Sequence, residues 1–312
     1  MTRWRAWLVA LGALAVGGLV WAAAPVAYLT EIHRPGPGEV RVKATGESDW
    51  RPAKPLMALV PGDQIRVQGA ARVVVLFHQS GATQTITAAT SPFTVPEVVP
   101  PAGGSNQLRV LASTAGRFLT GKQDPPVYRR LSVRSLSVPP LILSPRHTRV
   151  PPAGLVFEWE GGAGARYAVR VAGPAGVVWE QAGLPLAPLV YPATAPPLAP
   201  GVRYRWQLET PGHAVEETQF ELLAESEWAL IRERLTALDR EGSLPPGTRA
   251  VMRTAVLVEA GLHAEARREL LAAIRSAPED PTPRLLLGHL YQRIGLAAKA
   301  ADLFDQAQEP AR

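Results

Sequence analysis

A chain of several domains, mainly β and closing in an all-α region, is the architecture that these 312 residues specify. Three features carry that expectation. Apolar and charged residues alternate with a period of two across residues 40–86 and again across 141–224, as half-buried strands require. Proline and glycine number 31 and 27, so turns and strand edges recur along the chain. After Ala224 the apolar period lengthens to that of a helix, and a set of residues then returns at one fixed spacing. The length allows two or three domains, each with a core of its own.

Residues 1–30 read as a signal peptide or a single transmembrane signal anchor. Arg3 and Arg5 precede a charge-free stretch from Ala6 to Thr30 that includes Leu8, Leu11, Leu14, Leu19 and Trp21, the order of a positive n-region and an apolar h-region. About 20 apolar residues cross the hydrocarbon core, so residues 6–29 are long enough to remain as an inner-membrane anchor. Arg3 and Arg5 would then stay on the cytoplasmic side. A cut after Ala22 or Ala24 would release the leader instead. Gly17, Gly18 and the lack of a polar face argue against a buried core helix. Either outcome places the remainder in the periplasm or another extracytoplasmic space, and makes the N-terminal segment the expected membrane contact.

The formal net charge of +6 falls to +4 once Arg3 and Arg5 are assigned to the leader. No basic stripe interleaved with aromatics is present, so nucleic acid is not an expected partner. The absence of cysteine excludes disulfides, thiolate metal sites and cysteine nucleophiles.

Residues 31–39, with Pro35, Gly36, Pro37 and Gly38, read as an extended linker. A β-domain with a trailing helix is expected over 40–122. Val40 and Val42 alternate with Arg41 and Lys43, a Pro61-Gly62-Asp63 turn leads to Ile65 and Val67, and Val73, Val75 and Phe77 continue the alternation before a Gly81 turn and Ile86. Leu108, Leu111, Ala115, Phe118 and Leu119 lie on one helical face, with Ser105 as N-cap and Gly121 as C-cap. Gly38-Glu39-Val40, Trp50, the run Leu59 to Ile65, the run Ala71 to Phe77 and Gly81 together resemble the FecR-like domain over about residues 36–96. That resemblance implies an extracytoplasmic β-rich domain, in some members a sensor in envelope signalling. The five residues Met1 to Arg5 are too few to hold a sigma factor on the cytoplasmic side.

A basic connector follows over 123–140. Arg129, Arg130 and Arg134 are candidate contacts to an anionic surface, lipid or glycan; a solvated connector is the plainer account. Residues 141–224 suit a β-sandwich of the immunoglobulin or fibronectin type. Phe157 and Trp159, then Tyr167, Val169 and Val171, then Tyr204, Trp206 and Leu208 each alternate with polar residues. These strands resemble a fibronectin-type module without the cysteine pair of antibody domains.

Over 225–312 an all-α region is expected. Trp228, Ile231, Leu235 and Leu238 keep helical spacing until the Gly242–Gly247 stretch. Gly261, Ala266, Leu270 and Ala273 then recur 34 residues later as Gly295, Ala300, Phe304 and Ala307, the tetratricopeptide period. Together with Leu287, Gly288, Tyr291 and Pro278, these residues resemble tetratricopeptide (TPR) helical hairpins. Two copies are fewer than an independent solenoid uses, so the Trp228 helix is expected to cap them and the sandwich or a second chain to cover what remains. Family geometry would place Glu259, His289, Gln292 and Arg293 on the inner face as candidate partner-binding residues, with an ordinary solvated surface as the alternative.

No chemistry is legible. The six histidines show no metal-ligand spacing, and no phosphate loop, nucleophile elbow or serine-lysine pair occurs. Asp63 reads as a turn aspartate, and Glu158 and Glu160 as the solvent face of a strand. The expectation is a non-enzymatic envelope scaffold or adaptor without cofactors, its partner an unidentified envelope protein held by the helical hairpins. The alternatives are a FecR-like sensory component and a glycan- or peptidoglycan-binding protein.

Overall fold

The computed structural model describes residues 24–98, 105–120, 139–186 and 188–308. Most of the leader, and Arg129, Arg130 and Arg134, lie outside the described residues. Among the described residues no helix is long and apolar enough to cross a membrane. A multi-sheet β region covers residues 27–222, and five helices follow it.

The first β unit comprises β1 (Ala27–His33), β2 (Glu39–Lys43), β3 (Arg51–Pro52), β4 (Ala58–Leu59), β5 (Gln64–Gln68), β6 (Arg72–Phe77), β7 (Thr83–Thr87) and β8 (Phe93–Thr94). They form two four-stranded antiparallel sheets, β4-β1-β6-β7 and β3-β2-β5-β8. Leu29, Ile32, Val42, Ile65, Val73, Val75 and Phe77 fill the space between them. Strand β6 is buried on both faces: Val73, Val75 and Phe77 point into this core, while Leu76 joins Tyr28 in a second cluster made largely by helices. A strand covered on two sides reads as a continuous apolar run, which is why Val73–Phe77 carries no polar residue.

Strand β1 moves a boundary. It occupies the end of the segment read as leader and the start of the segment read as linker, pairing with β6 from Ala27 opposite Phe77 to His33 opposite Arg72. Ala27 and Leu29 belong to the core, so the connecting turn is confined to residues 34–38. Trp50 likewise lies outside that core, with the Arg66 guanidinium 4.1 Å above its ring.

The second β unit comprises β9 (Leu141–Ser144), β10 (Thr148–Val150), β11 (Val156–Glu160), β12 (Tyr167–Gly173), β13 (Gly176–Leu184), β14 (Leu189–Val190), β15 (Arg203–Glu209) and β16 (Glu216–Leu222). A five-stranded sheet, β10-β16-β15-β12-β13, faces a three-stranded one, β14-β11-β9. Phe157, Tyr167, Val169, Trp206 and Phe220 pack between them, with the Phe157 and Trp206 rings edge-on at 4.8 Å.

Helix α1 (Asn106–Leu119) starts where expected, the Leu108 N–H donating to the Ser105 hydroxyl at 3.3 Å. Its C-cap is Thr120 rather than Gly121. The helices α2 (Glu225–Arg240), α3 (Pro246–Glu259), α4 (His263–Ser276), α5 (Thr282–Arg293) and α6 (Ala297–Gln308) close the chain. Leu111 and Ala115 of α1 share one hydrophobic cluster with Ile231 and Leu235 of α2 and with Val251 and Ala255 of α3. Thus α1 trails the first β unit in sequence but belongs to the helical layer in space.

The spacing of 34 residues is matched by backbone geometry. Leu262 N–H donates to the Leu257 carbonyl at 2.8 Å and Gly261 N–H to that of Val258 at 3.1 Å; the counterparts are Leu296 to Tyr291 at 2.7 Å and Gly295 to Gln292 at 3.2 Å. Each is the bond pair of a Schellman stop, which needs a left-handed residue after the C-cap. Gly261 and Gly295 supply it, with φ of +76° and +82°.

Candidate functional site between the strands and the helices

The charged groups that the sequence leaves unexplained gather where the β units meet the helices. At the first seam, β1 caps a helix from outside. The first backbone N–H groups of a helix have no partner within it and attract negative charge. At α3 a carboxylate from another part of the fold meets this need: Thr248 N–H donates to Glu31 Oε1 at 2.7 Å and the Thr248 hydroxyl to the same oxygen at 3.1 Å. The Thr30 hydroxyl lies 2.8 Å from that of Thr248. The residue 34 positions later, Thr282, opens α5, and its N–H donates to Asp280 Oδ1 at 2.9 Å. Burial, with a smaller push from nearby Glu31, raises the Asp280 carboxyl to about 6 against hydrogen bonds from Thr282 and the Ile32 backbone. His33 Nδ1 sits 3.0 Å from Glu279 at the same seam.

At the second seam the loop between β9 and β10, together with the start of β10, grips both interhelical turns. Arg149 N–H donates to the Gly261 carbonyl at 2.8 Å, and the Thr148 hydroxyl donates to it at 3.1 Å. Arg146 Nε donates to the Ile294 carbonyl at 2.9 Å while its Nη1 pairs with Glu216 at 2.6 Å. His263 Nδ1 rests 2.7 Å from the His147 carbonyl, and burial lowers that imidazole below its ordinary range. Thus Arg146 is a structural clamp.

Glu158 and Glu160, read as a solvated strand face, point instead at the helices. Glu158 accepts from Arg267 Nη1, whose Nε donates to the Tyr291 hydroxyl at 3.0 Å, and Glu160 pairs with Lys299 at 2.6 Å. Asp63 is the turn residue it was read to be: buried, it accepts from Thr45 N–H at 2.8 Å and Val60 N–H at 2.9 Å.

Beside the Glu158–Arg267 pair lies a cleft of about 530 Å³. Its β wall is made by Leu143, Glu158, Trp159, Leu186 and Pro188. Its helical wall is the α4 face of Arg267, Arg268, Leu271 and Arg275. Three guanidinium groups thus face one carboxylate. Arg268 is partly engaged by Glu265 at 2.8 Å, whereas exposed Arg275 has no ion-pair partner among the described residues. Among the described residues the buried Trp159 indole N–H also has no hydrogen-bond acceptor. Among the described residues no group of three or more histidine, cysteine or carboxylate side chains is placed to hold a metal.

The four residues assigned to an inner helical face separate into two kinds. Glu259 is turned to α1 and α2, pairing with Arg117 at 3.0 Å and Arg234 at 2.7 Å. Burial pushes its carboxyl up, but the two arginines hold it below the usual range. The His289 ring packs edge-on against Phe304 at 5.0 Å, and Gln292 and Arg293 are exposed near the end of α5. The cleft arginines were legible only as a pattern: Arg267, Arg268 and Arg275 share one helical face with Leu271. No protein-family model matches this chain, and no curated protein matches it as a relative.

Proposed function

We propose that this chain is a non-enzymatic scaffold or adaptor of the cell envelope. It is directed out of the cytoplasm by its first residues and engages another envelope protein through its TPR-like helices. In this reading the first β unit is a FecR-like domain, the second an immunoglobulin- or fibronectin-like sandwich, and α3 to α6 are two TPR-like hairpins. The observation that carries it is the recurrence of the Schellman stop, with its left-handed glycine, at Gly261 and Gly295. Paired helices stacked at this period build surfaces that meet other polypeptides. The arrangement of charge gives support as well: Glu31, Glu158, Glu160, Glu216 and Glu259 all bind groups on neighbouring elements. Such carboxylates hold parts of a fold together.

The test is photo-crosslinking in the organism that makes the protein, with a photoreactive residue at the exposed Gln292 of the full chain. A discrete adduct recovered with the cell envelope is expected. Recovery of the uncut chain in the cytosol, with no adduct, would overturn the reading.

A further inference from the structure

We infer that the cleft between β11 and α4 binds a short acidic and apolar peptide segment of the partner protein; this rests on the adaptor reading above and names what the site takes. Its volume, about 530 Å³, lies in the range of specific ligand pockets. Its two walls differ in character in the way such a segment would need. Leu143, Trp159, Leu186 and Leu271 offer apolar surface, and Leu186 is 42% exposed at the rim. Arg268, Leu271 and Arg275 follow one another along α4 at spacings of three and four residues. An apolar side chain is therefore flanked by two guanidinium groups on the same helical face.

Charge decides the sign of the occupant. Glu158 neutralises the buried Arg267, and Glu265 engages Arg268 from beside the cleft. Arg275 has no carboxylate partner among the described residues. Burial also raises the Glu265 carboxyl, against Arg268. A guanidinium takes a carboxylate in forked geometry, two parallel N–H donors to two oxygens. Length favours a peptide: the seven steps of helix from Arg268 to Arg275 rise about 10 Å, the span of about three residues of extended chain.

The experiment uses the full chain in detergent and a panel of acetylated, amidated tetrapeptides pairing Asp or Glu with Leu, Ile, Val or Phe. Matched Asn and Gln panels and sodium octanoate are the comparison probes. Binding is followed by tryptophan fluorescence and calorimetry. Acidic members are expected to bind at least tenfold more tightly than their amide counterparts, and to weaken as salt rises. R275E and L186D, both changes of exposed side chains, should each reduce that affinity about tenfold without altering the circular dichroism. Equal binding of acidic and amide peptides, unchanged binding in R275E, binding of octanoate alone, or no binding by any peptide would overturn the assignment. Envelope adducts at position 292 that persist when no peptide binds would sink the cleft alone; loss of both would sink the adaptor reading with it.

Discussion

Arg267 on α4 and Glu158 on β11, 109 residues apart in the chain, form an ion pair whose guanidinium is almost fully buried. Removing one partner of such a pair leaves an uncompensated charge, at a cost of about 3–5 kcal/mol when burial is complete. Glu158 keeps some contact with water, so E158Q is expected to lower stability by about 2–3 kcal/mol. The double variant E158L/R267M should regain most of that loss. Urea midpoints of the full chain, read by helical circular dichroism in a double-mutant cycle, check the coupling. Additive losses would show that the pair is not a unit.

Gly288 meets Phe304 so closely that an added Cβ would lie 2.4 Å from the ring edge. G288A should therefore cost about 1–3 kcal/mol through overpacking, although alanine is the better helix former by about 1 kcal/mol. Combining it with F304L should recover part of the loss. Stabilisation by G288A alone, in the same denaturation assay, would refute the close approach of α5 and α6.

Glu31 caps α3 across the seam. E31A removes the acceptor for Thr248 N–H and the negative charge near the helix N-terminus, and is expected to cost about 1–2 kcal/mol. Hydrogen exchange supplies the sharper readout: protection should fall at the first turn of α3 and along β1 while the strands of the second β unit stay protected.

Asp280 makes stability depend on pH in an unusual direction. Its folded value, about 6, lies above the unfolded 3.8. The folded state therefore binds the proton more tightly, and this group's contribution to stability rises as pH falls through 6 and levels off near 3.8. His263 and His78, both held below their ordinary value by burial, act oppositely in the same window, because acid favours their exposed forms. The comparison that isolates Asp280 is wild type against D280N. Between pH 7.5 and 5 the stability difference should move toward wild type by about 1 kcal/mol. A difference that is flat with pH in urea titrations would contradict the buried, protonatable carboxyl.

The features legible from residue order are those that local order encodes. The return of Gly261 as Gly295, the Ser105 cap and the alternation through Tyr204, Trp206 and Leu208 all express short-range geometry, and each corresponds to a described element. Strand β1 was hidden because Ala27–Thr30 continues the charge-free run of the leader without a break. The seams were hidden for another reason. Thr30 meets Thr248 across 218 positions and Arg146 meets Glu216 across 70, and no local pattern marks either partner. Family geometry assigned Glu259 to an open helical face, but α1 and α2 supply the arginines that occupy it. The cleft draws its walls from both β9 to β14 and α4, so it exists only after the chain has folded back on itself.

Residues 146–149 hold the turn after α3 and the turn after α5 at once, through Gly261 and Ile294. The two hairpins are consequently registered against a common ruler and cannot slide or fan apart one at a time. A single inserted residue between Pro145 and Thr148 would put both turns out of step together, loosening the pair as a block while leaving each hairpin's own hydrogen bonds unbroken.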